Sequence, residues 1–235
     1  MTRDGSCIVD RRTRLLNLLV AGGGILILAP LMILVAIVVA LTSTGPILYR
    51  QTRVGRDRRR SVGPEPESGR RSANAGGKLF TMYKFRSMTH RASSVPSPEV
   101  WAQPEDPRVT AVGSVLRRHR LDELPQLFNV LLGDMNVVGP RPEQPKIFRD
   151  LRDQVEGYAR RQSVLPGITG WAQVNHPYDR CLDDVRRKVE FDLQYLERRS
   201  PLEDLLIMAR TVPVMAGSKS VVGNHLHLSN VPEGP

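Results

Sequence analysis

Residues 15–41 read LLNLLVAGGGILILAPLMILVAIVVAL, without a charge and with Asn17 as the one strongly polar side chain. About 20 apolar residues suffice to cross a bilayer, so this run commits the chain to a membrane before anything else is considered. A secretory signal fits poorly, because its apolar part spans roughly 7–15 residues and ends at a small-residue cleavage site, which is missing here. Pro30, preceded by Ala29, lies in the middle of the run and follows Gly22, Gly23 and Gly24. Proline removes one backbone donor and clashes with the preceding turn, so a kink or break is expected at Ala29–Pro30. Arg11, Arg12 and Arg14 precede the run; Arg50, Arg53, Arg56, Arg58, Arg59 and Arg60 follow it. Basic flanks favour the cytoplasmic side. A helix that enters, bends and returns to the same face satisfies both flanks; a plain proline-kinked span remains the competing reading.

Lysine and arginine outnumber acids 34 to 24, a net charge of +10. That balance suits an anionic partner: a phosphorylated substrate, a lipid surface or a nucleic acid. Aromatic residues make up only 5%, thin for stacking on single-stranded bases, and no nucleic-acid motif is present. Cys7 and Cys181 form neither a disulfide framework nor a zinc spacing.

Beyond the apolar run, residues 47–54 and 78–88 read as strands. Between them, 57–77 is rich in Gly, Pro, Ser and Arg and reads as a flexible basic loop. Residues 110–119 look helical. Pro125 is tolerated only in a first turn, so the next helix, with Leu127, Phe128 and Leu131, is expected to start near Asp122. Leu182, Val185, Val189, Leu193 and Leu196 recur at helical spacing over 181–199, and Ser200, Pro201 and Glu203 mark another helix start. The expected architecture is α+β: a re-entrant membrane helix within 1–46, a small, mostly helical cytosolic catalytic domain with a short β-hairpin over 47–217, and a tail over 218–235.

The stretch LRRHRLDELPQLFN, 116–129, places Asp122 and Glu123 side by side after Arg117, Arg118, His119 and Arg120. Adjacent helical residues face different ways, so the two carboxylates can do different jobs. A helix N-terminus and nearby arginines favour their ionised forms. One can attack phosphorus, and the other can hold Mg2+. Alone, such a pair is ordinarily just an acidic first turn with surface ion pairs. In KFRSM, Lys84 and Arg86 are spaced to share one strand face, able to bind phosphate or brace the acidic pair. Arg141 stands between prolines in VGPRPE, a stiff mount for a phosphate grip; Gln173 and Asn175 of PGITGWAQVN are candidate substrate contacts. His90, His119 and His176 lack convincing ligand partners, and Asp183 and Asp184 read as a helix first turn.

Taken together, LRRHRLDELPQLFNVLLGDMNVVGPRPE, KFRSM and PGITGWAQVN closely resemble the bacterial sugar transferase family, over about residues 10–217. These are monotopic polyprenyl-phosphate phosphoglycosyl transferases of surface-polysaccharide synthesis, and YDRCLDDVRRKVEFDLQYLERRSPLEDLLIMARTV is similar to the exopolysaccharide-type members. The resemblance implies transfer of a sugar phosphate from a UDP-sugar to a polyprenyl (undecaprenyl) phosphate, with release of UMP, on the cytosolic face of the inner membrane. It implies Asp122 as nucleophile of a covalent phosphosugar intermediate, Glu123 as Mg2+ ligand, and Arg117 and Arg141 as phosphate-binding residues. It also implies a re-entrant helix broken near Ala29–Pro30. Departures from the family pattern are Ala29 and Arg120, where many members carry serine or serine/threonine, QVNHPYDR in place of QVNGR, and the loop at 57–77. A non-catalytic membrane adaptor is the rival reading. The sugar is not readable, and the oligomeric state is open, a homo-oligomer included.

Overall fold

The computed structural model describes residues 3–57, 77–89, 106–176 and 182–215. The expected loop at 57–77 and tail at 218–235 lie almost wholly outside these residues.

Helix α1, Arg3–Thr42, carries the apolar run. It stays helical through Pro30, so of the expected kink or break the interruption is absent, and a bend within the helix is compatible with it. The physical reason is local: proline withdraws a single N–H from the ladder, and the hydrogen bonds of the neighbouring turns hold the helix together. Part of α1 packs inward on both sides of Pro30. Ala21 belongs to one core cluster, with Val130, Val137 and Tyr195. Met32, Val35 and Val39 form another with Phe85 and Leu116. The opposite surface is bare: Leu26, Ile27 and Leu41 are 78%, 79% and 81% exposed. In length and composition α1 could cross a membrane, with a mean hydropathy of 3.0 over its most apolar stretch.

Polar side chains tie α1 to the rest. Asn17, fully buried, accepts from the Val137 N–H at 2.5 Å and donates to the Thr13 carbonyl at 2.6 Å. The one strongly polar residue of the run therefore faces protein rather than lipid, where an unpaired amide would cost several kcal/mol, roughly 2–7. Arg14 donates to the carbonyls of Val130 and Leu131, the exposed end of a later helix.

Strands β1 (Leu48–Val54) and β2 (Leu79–Phe85) pair antiparallel, with Leu48 opposite Phe85 and Val54 opposite Leu79. This is the expected hairpin. Alternation turns Phe80 and Met82 inward. Asn129, buried, closes the free edge of β2 by accepting from the Tyr83 N–H and donating to the Thr81 carbonyl. Helix α2 (Ala111–Arg118) starts on Thr110, whose hydroxyl accepts from the Gly113 N–H. Helix α3 (Gln126–Leu132) starts at Pro125 and ends at Gly133 in a left-handed conformation.

A second sheet was not foreseen. The short strands β3 (Asn136–Val138) and β4 (Gly167–Thr169) run parallel, joined through α4 (Pro145–Gln154) and a 3-10 stretch, Tyr158–Ser163. Gly167 and Gly170 allow this sheet's edge to meet the following loop: a Cβ on either would stand 2.1 or 2.2 Å from the backbone of Gly139. Helices α5 (Trp171–Asn175), α6 (Leu182–Arg198) and α7 (Pro201–Met215) complete the domain. The predicted cap of α7 is present, with the Glu203 N–H donating to Ser200 Oγ at 3.1 Å. Leu202, Leu205, Leu206 and Val212 of α7 stay exposed, as do Phe128, Leu131 and Leu132 of α3.

Candidate active site

Asp122 and Glu123 do not lie on α3. They occupy their own 3-10 turn, Leu121–Glu123, between α2 and α3. The turn is set off by Arg120, whose left-handed backbone (φ 55°, ψ 20°) stops α2 and redirects the chain. Leu121 and Leu124 bracket the acidic pair and pack on the cluster built from Met32, Val35 and Val39 of α1. The leucines on either side of the pair thus anchor its turn to the cluster that α1 shares with Phe85 and Leu116. Both carboxylates are buried, 7% and 6% exposed.

Their surroundings differ. Glu123 Oε1 accepts from Lys84 Nζ at 2.9 Å and from Arg141 Nη2 at 2.8 Å, while Oε2 lies 4.0 Å from Arg120 Nη1. Burial by itself would raise the Glu123 pKa, but Arg141 and Lys84 outweigh it and hold the carboxyl well below the usual range. Asp122 accepts no hydrogen bond from any described residue. Burial raises its pKa, opposed by the positive charge of Lys84 and, more weakly, of Arg117 and Arg141. One carboxylate is locked as an anion by two cations; its neighbour is a poorly solvated, uncommitted base.

Arg141 is held from all sides. Its Nη1 donates to Gln173 Oε1 at 3.1 Å. Every residue of its loop is tied down: the Gly139 N–H donates to the Thr169 carbonyl, and the Pro140 carbonyl accepts from the Gly167 N–H. The Arg141 carbonyl faces Arg161 Nη2 at 3.4 Å, and the Pro142 carbonyl accepts from Arg53 at 3.0 Å. The Glu143 carbonyl accepts from the Val54 N–H, and its carboxylate pairs with Lys188 at 3.0 Å. Behind them Arg161 and Asp192 form a buried pair at 2.6 Å.

The structure therefore gathers Asp122, Glu123, Lys84, Arg141 and Gln173 of the expected residues. Arg117, half-buried in the last turn of α2, acts on Asp122 through space. Arg86 goes elsewhere. It lies past the end of β2, so it does not share the Lys84 face, and its guanidinium donates to the carbonyls of Val39, Ser43 and Pro46 and to Ser43 Oγ. It caps the end of α1, where free carbonyls attract a cation. Asn175 is turned back into its own helix, donating to the Trp171 carbonyl at 2.7 Å. Trp171 packs against Gln194 and Arg210 on α6 and α7. His176 lies 3.5 Å from Asp184. The residues the sequence did not point to are Asn129, Arg53, Arg161, Lys188 and Asp192; for the last three the one hint is charge placed at buried positions of α6 and the 3-10 stretch.

The sequence profile of a family described as bacterial sugar transferase matches residues 9–218. A UDP-N-acetylgalactosamine-undecaprenyl-phosphate N-acetylgalactosaminephosphotransferase of Aeromonas hydrophila is 39% identical over 197 residues, covering 84% of this chain and 42% of that protein. A UDP-glucose:undecaprenyl-phosphate glucose-1-phosphate transferase of Escherichia coli (strain K12) is 40% identical over 80% of this chain and 36% of its own length. A protein of the same name from Caulobacter vibrioides is 38% identical over 87% of this chain and 70% of its own length. The chain thus spans well under half the length of the first two relatives and most of the third.

Proposed function

The chain belongs to the bacterial sugar transferase family, and from that premise we propose that it moves a sugar 1-phosphate from a UDP-sugar to undecaprenyl phosphate at the cytosolic face of the inner membrane, a first membrane step of polysaccharide synthesis. The observation that carries this reading is the division between Asp122, buried and uncommitted, and Glu123, clamped by Lys84 and Arg141.

In the first step an Asp122 carboxylate oxygen attacks the sugar-bearing phosphorus, and the bond to the bridging oxygen breaks, so that UMP leaves with that electron pair. In the second, an oxygen of the polyprenyl phosphate attacks the same phosphorus and the carboxylate leaves, regenerating Asp122. Lys84 and Arg141 hold the surrounding charge fixed, which lowers the reorganisation needed as charge develops on phosphoryl oxygens. Arg117, which pairs with no described carboxylate, is placed to take a phosphate oxygen. The Nε2 of Gln173 is buried without a described partner and suits a hydroxyl or phosphate of the donor.

Mg2+ is commonly held by one or two carboxylates together with substrate phosphates, and the donor set here fits: Asp122 is uncommitted and Glu123 Oε2 has only a distant cation. Glu123, with Asp122 beside it, would hold the ion, which would supply charge neutralisation on the diphosphate.

The same geometry supports the membrane placement. Basic residues flank the apolar run of α1 at both ends, and helix faces on both sides of Pro30 pack on one domain. Both features support a helix that bends at Pro30 while staying helical, so that its two ends lie at one face. The exposed leucines of α1, α3 and α7 supply the apolar surface, and the acidic pair lies beside it, where a soluble donor and a lipid-anchored acceptor meet.

The test is UMP release from membranes supplied with Mg2+, undecaprenyl phosphate and a panel of UDP-sugars. Wild type releases UMP with one donor, and Asp122→Asn abolishes it. Because Asp122 carries a raised pKa, its charge costs folding free energy, so the Asn variant melts no lower than wild type. Turnover by the Asn variant at the wild-type rate would leave the adaptor role as the better account.

A further inference from the structure

Arg120 forms the corner that sets off the catalytic turn. Among the described residues it is the one non-glycine with a positive φ. Left-handed backbone suits glycine, and after it asparagine and aspartate; a long branched-fork side chain gains nothing from it. Backbone hydrogen bonds fix the corner on both sides: the Arg120 N–H donates to the Arg117 carbonyl, and the Arg120 carbonyl accepts from the Glu123 N–H. A glycine would build this corner with less strain. The side chain that stands there instead is 34% exposed, and its Nη1 reaches to 4.0 Å from Glu123 Oε2. That separation is too long for a direct hydrogen bond, and the guanidinium makes none to any described residue. Lys84 and Arg141 are already spent on the other oxygen of Glu123. Arg120 therefore presents a full fork of unused donors at the rim of the acidic pair.

We propose that Arg120 is a substrate-binding residue whose guanidinium grips a phosphate oxygen of the group brought to Asp122, and that its strained backbone is what aims it there. The planar fork matches phosphate geometry in a way a lysine does not. The inference rests on the transferase reading above. The phosphate belongs either to the nucleotide-sugar donor or to the polyprenyl acceptor.

The experiment compares Arg120→Gly, Arg120→Asn and Arg120→Lys with wild type and Asp122→Asn. UMP release gives KM for the UDP-sugar and for undecaprenyl phosphate separately, and the melting temperature is read in detergent with and without UDP. Gly and Asn relieve the corner, so both melt at or above wild type, yet KM rises at least tenfold for one substrate; Lys falls between. A rise for the donor, with loss of the UDP-induced melting shift, assigns the contact to the diphosphate. A rise for the acceptor, with the shift kept, assigns it to the polyprenyl phosphate. If Gly and Asn keep both KM values within twofold and the full UDP shift, the proposal falls while the transferase reading stands. If wild type and Asp122→Asn turn over alike, the transferase reading falls, and this inference falls with it.

Discussion

Arg161 and Asp192 meet at 2.6 Å with 4% and 1% of their surfaces exposed, and Arg161 reaches on to the carbonyl of Arg141. A buried pair on α6 and the 3-10 stretch thus stands directly behind the arginine that clamps Glu123. Removing one partner strands the other charge, at a cost of about 3–5 kcal/mol. Asp192→Ala should therefore melt markedly lower and lose activity. The double variant Arg161→Met/Asp192→Leu strands no charge and should regain most of the stability, while kcat stays low because the Arg141 loop has lost a support. Thermal melts and UMP release on the same samples check this; full recovery of kcat in the double variant would mean the pair only stabilises.

Glu123 is where two cations converge, so its loss cannot be a local event. Glu123→Gln leaves Lys84 and Arg141 facing each other across a neutral amide, with Lys84 half-buried and its pKa already lowered by desolvation. The expected outcome is at least a hundredfold fall in kcat and a raised Mg2+ requirement in a titration of activity against the ion. Glu123→Asp keeps the charge but shortens the reach and should recover part of it.

The acid limb of the pH profile belongs to Asp122, which must be ionised to attack. Burial raises its pKa, and Lys84 is the largest influence opposing that rise. Activity should fall as pH drops through the raised pKa. Lys84→Met removes the opposing charge, so the acid limb should move to higher pH, whatever happens to the maximal rate. An unmoved limb in kcat/KM would separate Lys84 from Asp122.

Features governed by local pattern were legible in the sequence: the apolar run, the β1–β2 hairpin, the helical stretch that became α2, α6 by its leucine and valine spacing, and the Ser200 cap. The LDE pair could be identified, but not its 3-10 turn, because a left-handed arginine leaves no signal in residue type. Lys84 and Arg86, two apart, read alike and ended in different places. The strand stops at Phe85, and the free carbonyls at the end of α1 capture Arg86. Strands β3 and β4 have three residues each, too short for alternation to register. Arg161 finds Asp192 through tertiary folding alone; no spacing predicts a partner 31 residues away.

Asp204 gives the last prediction. It is buried at the start of α7, where Tyr195 donates to its Oδ1 at 2.7 Å and its Oδ2 has no described partner. Burial pushes its pKa up to about 6, although the Tyr195 hydrogen bond pulls the other way. In the unfolded chain an aspartate titrates near ~3.9. Between those values the folded state binds the extra proton, so stability falls as pH rises. The contribution is complete below the unfolded pKa and lost by about pH 6, a swing of roughly 3 kcal/mol for two pKa units. Asp204→Asn can still accept from Tyr195 but carries no charge. It should flatten the denaturation midpoint between about pH 4 and 6 and raise stability at neutral pH. If its midpoint keeps the wild-type slope across that window, the carboxyl is ionised in the fold, and the exposed end of α7 has some other way to pair it.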